Sequence, residues 1–168
     1  QSLTSPELAH RNFGYTKTEL KTEIISRENV GVSGGEEIAF RLFANEKEIG
    51  TAEYYTTQTA ADGACKNLVI ILPIYNSKHT YPQNALTRTF LYREAKDINV
   101  LLLHKPRRMV NYETIAQVKI EKELEHEVRH AADIIKDTVI LVRQFIDWTE
   151  TRKEICRNKI GIVGFSIG

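Results

Sequence analysis

Three short, largely apolar runs constrain this chain more than any other feature: Leu68-Val69-Ile70-Ile71-Leu72, residues 98–103 with Asn99 as their one polar residue, and Ile160-Gly161-Ile162-Val163. Each has the length of a strand and none alternates with polar residues. Such runs suit strands buried on both faces of a parallel sheet. The segments between them are long enough for crossovers. Residues 83–96 carry Leu86, Phe90, Leu91 and Ala95 near helical spacing, and residues 112–152 contain no Gly or Pro. Strands alternating with helices predict right-handed βαβ units and a mostly parallel sheet.

The N-terminal part reads differently. Residues 1–19 are polar and mixed, a lead-in with little fixed structure. Residues 20–26, with Leu20, Ile24 and Ile25 among charges, predict an edge strand. Gly31, Ser33, Gly34 and Gly35 form a turn cluster. Residues 37–44 alternate, with Ile38, Phe40 and Leu42 on one face. Residues 45–48 form a polar turn, and residues 49–57 complete an antiparallel hairpin. Residues 73–82 and the basic stretch 105–111 read as loops. Lys105, Arg107 and Arg108 could meet an acidic substrate; a solvated loop is the plainer reading.

Composition narrows the function classes. The chain has 168 residues, 42% hydrophobic and 27% charged, which fits one globular domain with a sizeable core. A formal net charge of +1 supplies no field that would draw nucleic acid or an anionic membrane. No apolar stretch reaches the ~18 residues of a membrane span. The first residue is Gln1 rather than Met, so the compartment stays open between the cytoplasm and export after removal of a signal.

The last apolar run leads into Gly164-Phe165-Ser166-Ile167-Gly168, which fits G-x-S-x-G. A strand that turns sharply into a helix can present a serine at its apex. Small residues two before and two after let the strand and helix approach each other. With the order hairpin, strand, helix, strand, helix, strand, residues 37–168 resemble the α/β-hydrolase superfamily, an esterase- or lipase-like member being nearest. The resemblance implies an α/β fold, incomplete at its C-terminus, with residues 20–168 as the N-terminal part of a single domain. It implies Ser166 as nucleophile toward an ester or related acyl bond. It implies one oxyanion N–H from Ile167 and a second from Ile74 or Tyr75 in the loop 73–76. In family order the acid and the histidine follow the serine, so both are expected beyond Gly168. The expected substrate is a small-molecule ester, with no metal and no organic cofactor. An open sheet edge is expected for these residues alone, leaving them insoluble or oligomeric and inactive.

His79 and His104 fall near the strand ends that face the site in such folds. The plainer reading makes each a polar loop residue. A non-catalytic binding scaffold of the same fold is the alternative reading. A third is a zinc hydrolase, because His126-Glu127-Val128-Arg129-His130 matches H-E-x-x-H. Helical spacing argues against it. Leu124, Val128, Ala131, Ile135, Val139, Val142 and Ile146 define the expected buried stripe, and both histidines fall roughly opposite Val128 at ~100° per residue. A zinc site also needs a third ligand and an oriented second set of partners.

In the family's strand order the run 68–72 lies beside the run 160–163. Cys65 and Cys156 therefore emerge at one end of the sheet, opposite the serine, within loose reach of a disulfide. Two free thiols are the expected state, since there is one pair and no visible export signal.

Overall fold

The computed structural model describes residues 13–30, 35–56, 63–72, 98–104 and 121–164. These form a six-stranded sheet covered on one face by a long helix. The strands are β1 (Leu20–Val30), β2 (Gly35–Ala44), β3 (Lys47–Thr56), β4 (Lys66–Ile71), β5 (Ile98–Leu103) and β6 (Ile155–Val163). The helix α1 spans Glu121–Thr149, between β5 and β6. The strand order is β1-β2-β3-β5-β4-β6.

The sheet is mixed, which corrects the expectation of a mostly parallel one. β1–β2, β2–β3 and β3–β5 pair antiparallel, whereas β4–β5 and β4–β6 pair parallel. The reason lies in the first strand and the hairpin. β1 is longer than its apolar content suggests, because cross-strand pairing with β2 carries its polar half. Arg27–Glu36 and Arg41–Glu23 bridge the two strands at 3.2 Å each. The β2–β3 hairpin closes through Asn45 and Glu46, both at positive φ (49° and 64°). A two-residue turn of that hand matches strand twist.

β4 and β5 are buried on both faces, as their apolar runs require. One face holds Leu68, Ile70, Leu101 and Leu103 with Ile38, Phe40, Leu42 and Tyr54. The other holds Ile71, Val100, Leu102 and Tyr55. Only the first face packs on α1. Trp148 stacks on Phe40 at 4.7 Å and meets Tyr54 edge-on at 5.4 Å, and Phe145 meets Phe40 edge-on at 6.1 Å. Arg152 lies over both Tyr54 and Trp148 and bonds Glu154, closing this end of the core.

The buried stripe of α1 is not the expected one. Leu141, Phe145 and Trp148 are buried, with Val142 and Ile146 at the margin. Val128 and Ile135 are 56% and 54% exposed. Leu124 and Ala131 fall outside the described side chains. At 100° per residue the real face is turned by roughly 120° from the expected stripe. Two facts account for this. The aromatic pair Phe145 and Trp148 has more area to bury than the aliphatic stripe. In addition, α1 is 29 residues long, about 43 Å, and overruns a six-residue strand of about 20 Å. The described side chains from Glu125 to Asp137 are all exposed. The helix ends without glycine. Thr149 Oγ1 donates to the Ile146 carbonyl at 2.6 Å and Thr151 Oγ1 to the Trp148 carbonyl at 2.7 Å.

The end of the lead-in is tied to α1. Tyr15 donates its hydroxyl to Asp147, Lys17 pairs with Glu150 at 2.7 Å, and Arg143 lies over the Tyr15 ring and donates to the Phe13 carbonyl. At the other end of the chain, β6 departs from its expected burial. Ile162 and Val163 are 49% and 39% exposed, and β6 pairs on one side only among the described residues.

Candidate functional site

β4, β5 and β6 run parallel, so their C-terminal ends share one edge of the sheet. Ile71 is in register with Leu102 on one side and Val163 on the other. Past that row, the Leu72 N–H donates to the Val163 carbonyl at 2.9 Å. The chain therefore enters the segments 73–76 and 164–168 from hydrogen-bonded neighbours, whose axes lie ~4.8 Å apart. Ser166, Ile167, Ile74 and Tyr75 lie outside the described residues, as does His79. The strand ends that carry them are described, and they are adjacent.

His104 follows β5 at the same edge. Its backbone N–H donates to the Thr51 carbonyl at 3.0 Å, extending the β3–β5 ladder by one bond. Its side chain is engaged at both nitrogens. Nε2 lies 3.0 Å from Glu53 Oε1, and Nδ1 lies 3.2 Å from Thr51 Oγ1. Tyr55 donates its hydroxyl to the other Glu53 oxygen at 2.6 Å. A carboxylate only accepts, so Nε2–H is the donor to Glu53, while Nδ1 meets the Thr51 hydroxyl, which can donate to it or accept from it. His104 is thus a fixed group rather than a solvated loop residue. Glu53 carried no motif; its one signal is alternation, which puts it on the face of β3 away from α1, with Thr51 and Tyr55.

The opposite end of the same strands is closed covalently. Cys65 and Cys156 form a disulfide with Cα atoms 5.0 Å apart, correcting the expectation of free thiols. The expected placement at the far end of adjacent parallel strands holds, and that placement brings the sulfurs together. The Glu154 carbonyl, next to the bridge, accepts from the Lys66 N–H at 2.9 Å and from Asn99 Nδ2 at 3.2 Å.

His126 is exposed on α1, and Arg129 within the same motif pairs with Glu125. The side chains of Glu127 and His130 lie outside the described set. With the buried face of α1 turned as above, His126 falls about 70° from that face rather than opposite it. It is exposed, as are the other described side chains of that part of the helix. Among the described residues no group of three or more His, Cys, Asp and Glu is arranged to hold a metal ion. An open hollow of about 400 Å³, lined by Glu19, Lys21, Phe43, Asn45 and Glu46, lies beside the β2–β3 turn. It belongs to the antiparallel side of the sheet, apart from the β4 and β6 exits. Among the described residues no helix is long and apolar enough to cross a membrane.

No family model and no curated protein matches this chain. Solved structures do. A candidate acetyl xylan esterase from Bacteroides fragilis NCTC 9343 matches with a TM-score of 0.63 at 12% identity, over 96% of this chain and 45% of that one. Acetyl xylan esterase 1 from Thermoanaerobacterium sp. JW/SL YS485 matches with a TM-score of 0.52 at 14% identity, over 90% and 46%. An acetyl xylan esterase from Paenibacillus sp. R4 matches with a TM-score of 0.54 at 10% identity, over 94% and 49%. The chain carries an α/β fold of the kind these esterases carry. It spans about half the length of each of them. At such identities the likeness is one of fold, and the chemistry must be argued from the residues.

Proposed function

We propose that this chain belongs to a serine hydrolase that cleaves an ester through an acyl-enzyme on Ser166. The observation that carries the reading is the Leu72–Val163 hydrogen bond, which sets the exit toward 73–76 beside the exit toward Ser166. A nucleophile and an oxyanion donor have to converge on one carbonyl, and adjacent strand ends are the economical way to bring them together. In the reaction, Ser166 Oγ gives its proton to a general base and attacks the acyl carbon. The oxyanion is held by the Ile167 N–H and by the Ile74 or Tyr75 N–H. The alcohol leaves with the proton, and water then hydrolyses the acyl-serine to regenerate Ser166 and release the acid. In family order the acid and the histidine of the triad follow the serine, so neither is drawn from these 168 residues. Acetylated carbohydrate is the first substrate class to test, since the fold neighbours are named for acetyl xylan.

The experiment is labelling of the intact protein with a fluorophosphonate. Labelling that Ser166→Ala abolishes, together with loss of acetate release from acetylated xylan, is the expected result. An unlabelled wild-type protein would overturn the serine reading and favour the binding scaffold.

A further inference from the structure

Among the described residues, the site edge holds a side-chain network that the proposed chemistry leaves unused: Thr51, Glu53, Tyr55 and His104. We propose that His104 is a positioning residue for the hydrolytic site, fixing the edge from which the oxyanion loop departs; this rests on the serine-hydrolase reading above. The sheet order places β5 between β3 and β4. The ring of His104 reaches toward β3, to Glu53 and Thr51, and so away from β6 and the strand end that carries Ser166. β5 and β6 are two strand spacings apart, roughly 10 Å. Both ring nitrogens are already engaged. On these grounds His104 is not the general base, although it is a histidine at the right edge of the sheet.

Its consequence for the site is mechanical. The β3–β5 ladder is short, from Tyr55↔Val100 to Ala52↔Leu103, and His104 adds three bonds at its open end. β5 is in turn the partner of β4, with Ile71 opposite Leu102. That register brings the end of β4, just before the segment that carries the oxyanion loop, beside the end of β5 that His104 pins. Glu53 is itself held by Tyr55, which keeps the acceptor aimed at the ring. Loss of the two side-chain bonds loosens the end of β5 and lets the row shift. A displacement of about 1 Å at a reacting geometry costs on the order of 100-fold in rate.

The test compares His104→Ala, His104→Gln and Glu53→Gln in the intact protein, each read by kcat, KM, the rate of fluorophosphonate labelling and thermal stability. For His104→Ala the expected result is a 10- to 100-fold fall in kcat and in labelling rate, with KM within about twofold. Gln can donate to Glu53 and accept from Thr51, so His104→Gln is expected to recover most of the rate. Glu53→Gln reproduces a part of the loss without emptying the space. A wild-type protein that labels while His104→Ala labels equally fast overturns this proposal and leaves the serine reading standing. An unlabelled wild type overturns both. Abolished labelling in His104→Ala and His104→Gln alike, at native stability, would make His104 the general base and overturn the positioning role. If His104→Ala does not fold, Glu53→Gln decides, and unchanged kinetics in that variant overturn the proposal.

Discussion

Tyr15 closes the lead-in onto α1, and its surroundings set an alkaline limit. Partial burial, and then the hydrogen bond to Asp147, push its phenol up to about 12 from an ordinary 10.0. The folded state therefore favours the neutral phenol. The stabilisation is complete below pH 10 and is lost as pH rises from about 10 to about 12. Melting temperature is expected to fall across that window, and Tyr15→Phe to flatten the fall. Tyr54, buried and beside Glu154, is also pushed up and remains in that variant, so part of the alkaline slope should survive. Gly50 is a second residue whose role is local. A Cβ there would meet Leu141 Cδ1 at 2.9 Å and Phe145 Cε2 at 3.2 Å. Both belong to the buried core, so Gly50→Val should cost about 1–3 kcal/mol by overpacking, measured by denaturant unfolding. Nothing in the sequence around residue 50 marked it; α1 passes over it from about 90 residues away.

At the scale of elements, α1 carries the clearest lesson. Its existence was legible from a long stretch without Gly or Pro, and its face was not. Periodicity weighs Val128, Ile135 and Val139 as heavily as Phe145, whereas the sheet accepts only the turns that lie over it. Phe145→Ala, which removes a fully buried ring from contact with Phe40, should cost about 3–5 kcal/mol. Val128→Ala should leave stability within about 0.5 kcal/mol. Equal costs at the two positions would mean that the expected stripe is the buried one. β6 shows the same division between pattern and packing. Ile160, Ile162 and Val163 read as a strand, and they are one. Its side chains are nonetheless less buried than the pattern suggests, with Ile162 and Val163 half-exposed.

The whole molecule is held at one end of its parallel strands by the Cys65–Cys156 bridge and leaves the other end to the candidate site. The bridged residues are 91 apart in sequence. Closing a loop of that size restricts the unfolded chain, a stabilisation of about 2–5 kcal/mol. Cys65→Ser, or reductant, is expected to lower the unfolding free energy by that amount. Alkylation of the denatured, unreduced protein should modify neither cysteine, and two alkylated thiols would refute the bridge. The exposed Ile162 and Val163 on β6, with Ile24 and Ile25 on β1, put apolar side chains at both described edges of the sheet. These 168 residues alone are therefore expected to elute larger than their 19.2 kDa mass in size-exclusion chromatography. A monodisperse monomer would show that both edges are protected.

By itself the sequence made several elements legible, although the helix expected over residues 83–96 lies outside the described residues. The hairpin, the apolar strands β4 and β5 and the helix between β5 and β6 are local patterns, set by side-chain period and by where Gly and Pro fall. It also determined which strand end leads to Ser166, since the motif follows β6 without a break. The tertiary structure decided what depends on neighbours remote in sequence. It turned α1 onto Phe145 and Trp148, made the sheet mixed by seating β3 against β5, and brought Cys65 to Cys156. It also joined Glu53 to His104 across 51 residues. Each of these is a contact between segments remote in sequence, and such a contact is a property of two segments that neither one carries in its own residues.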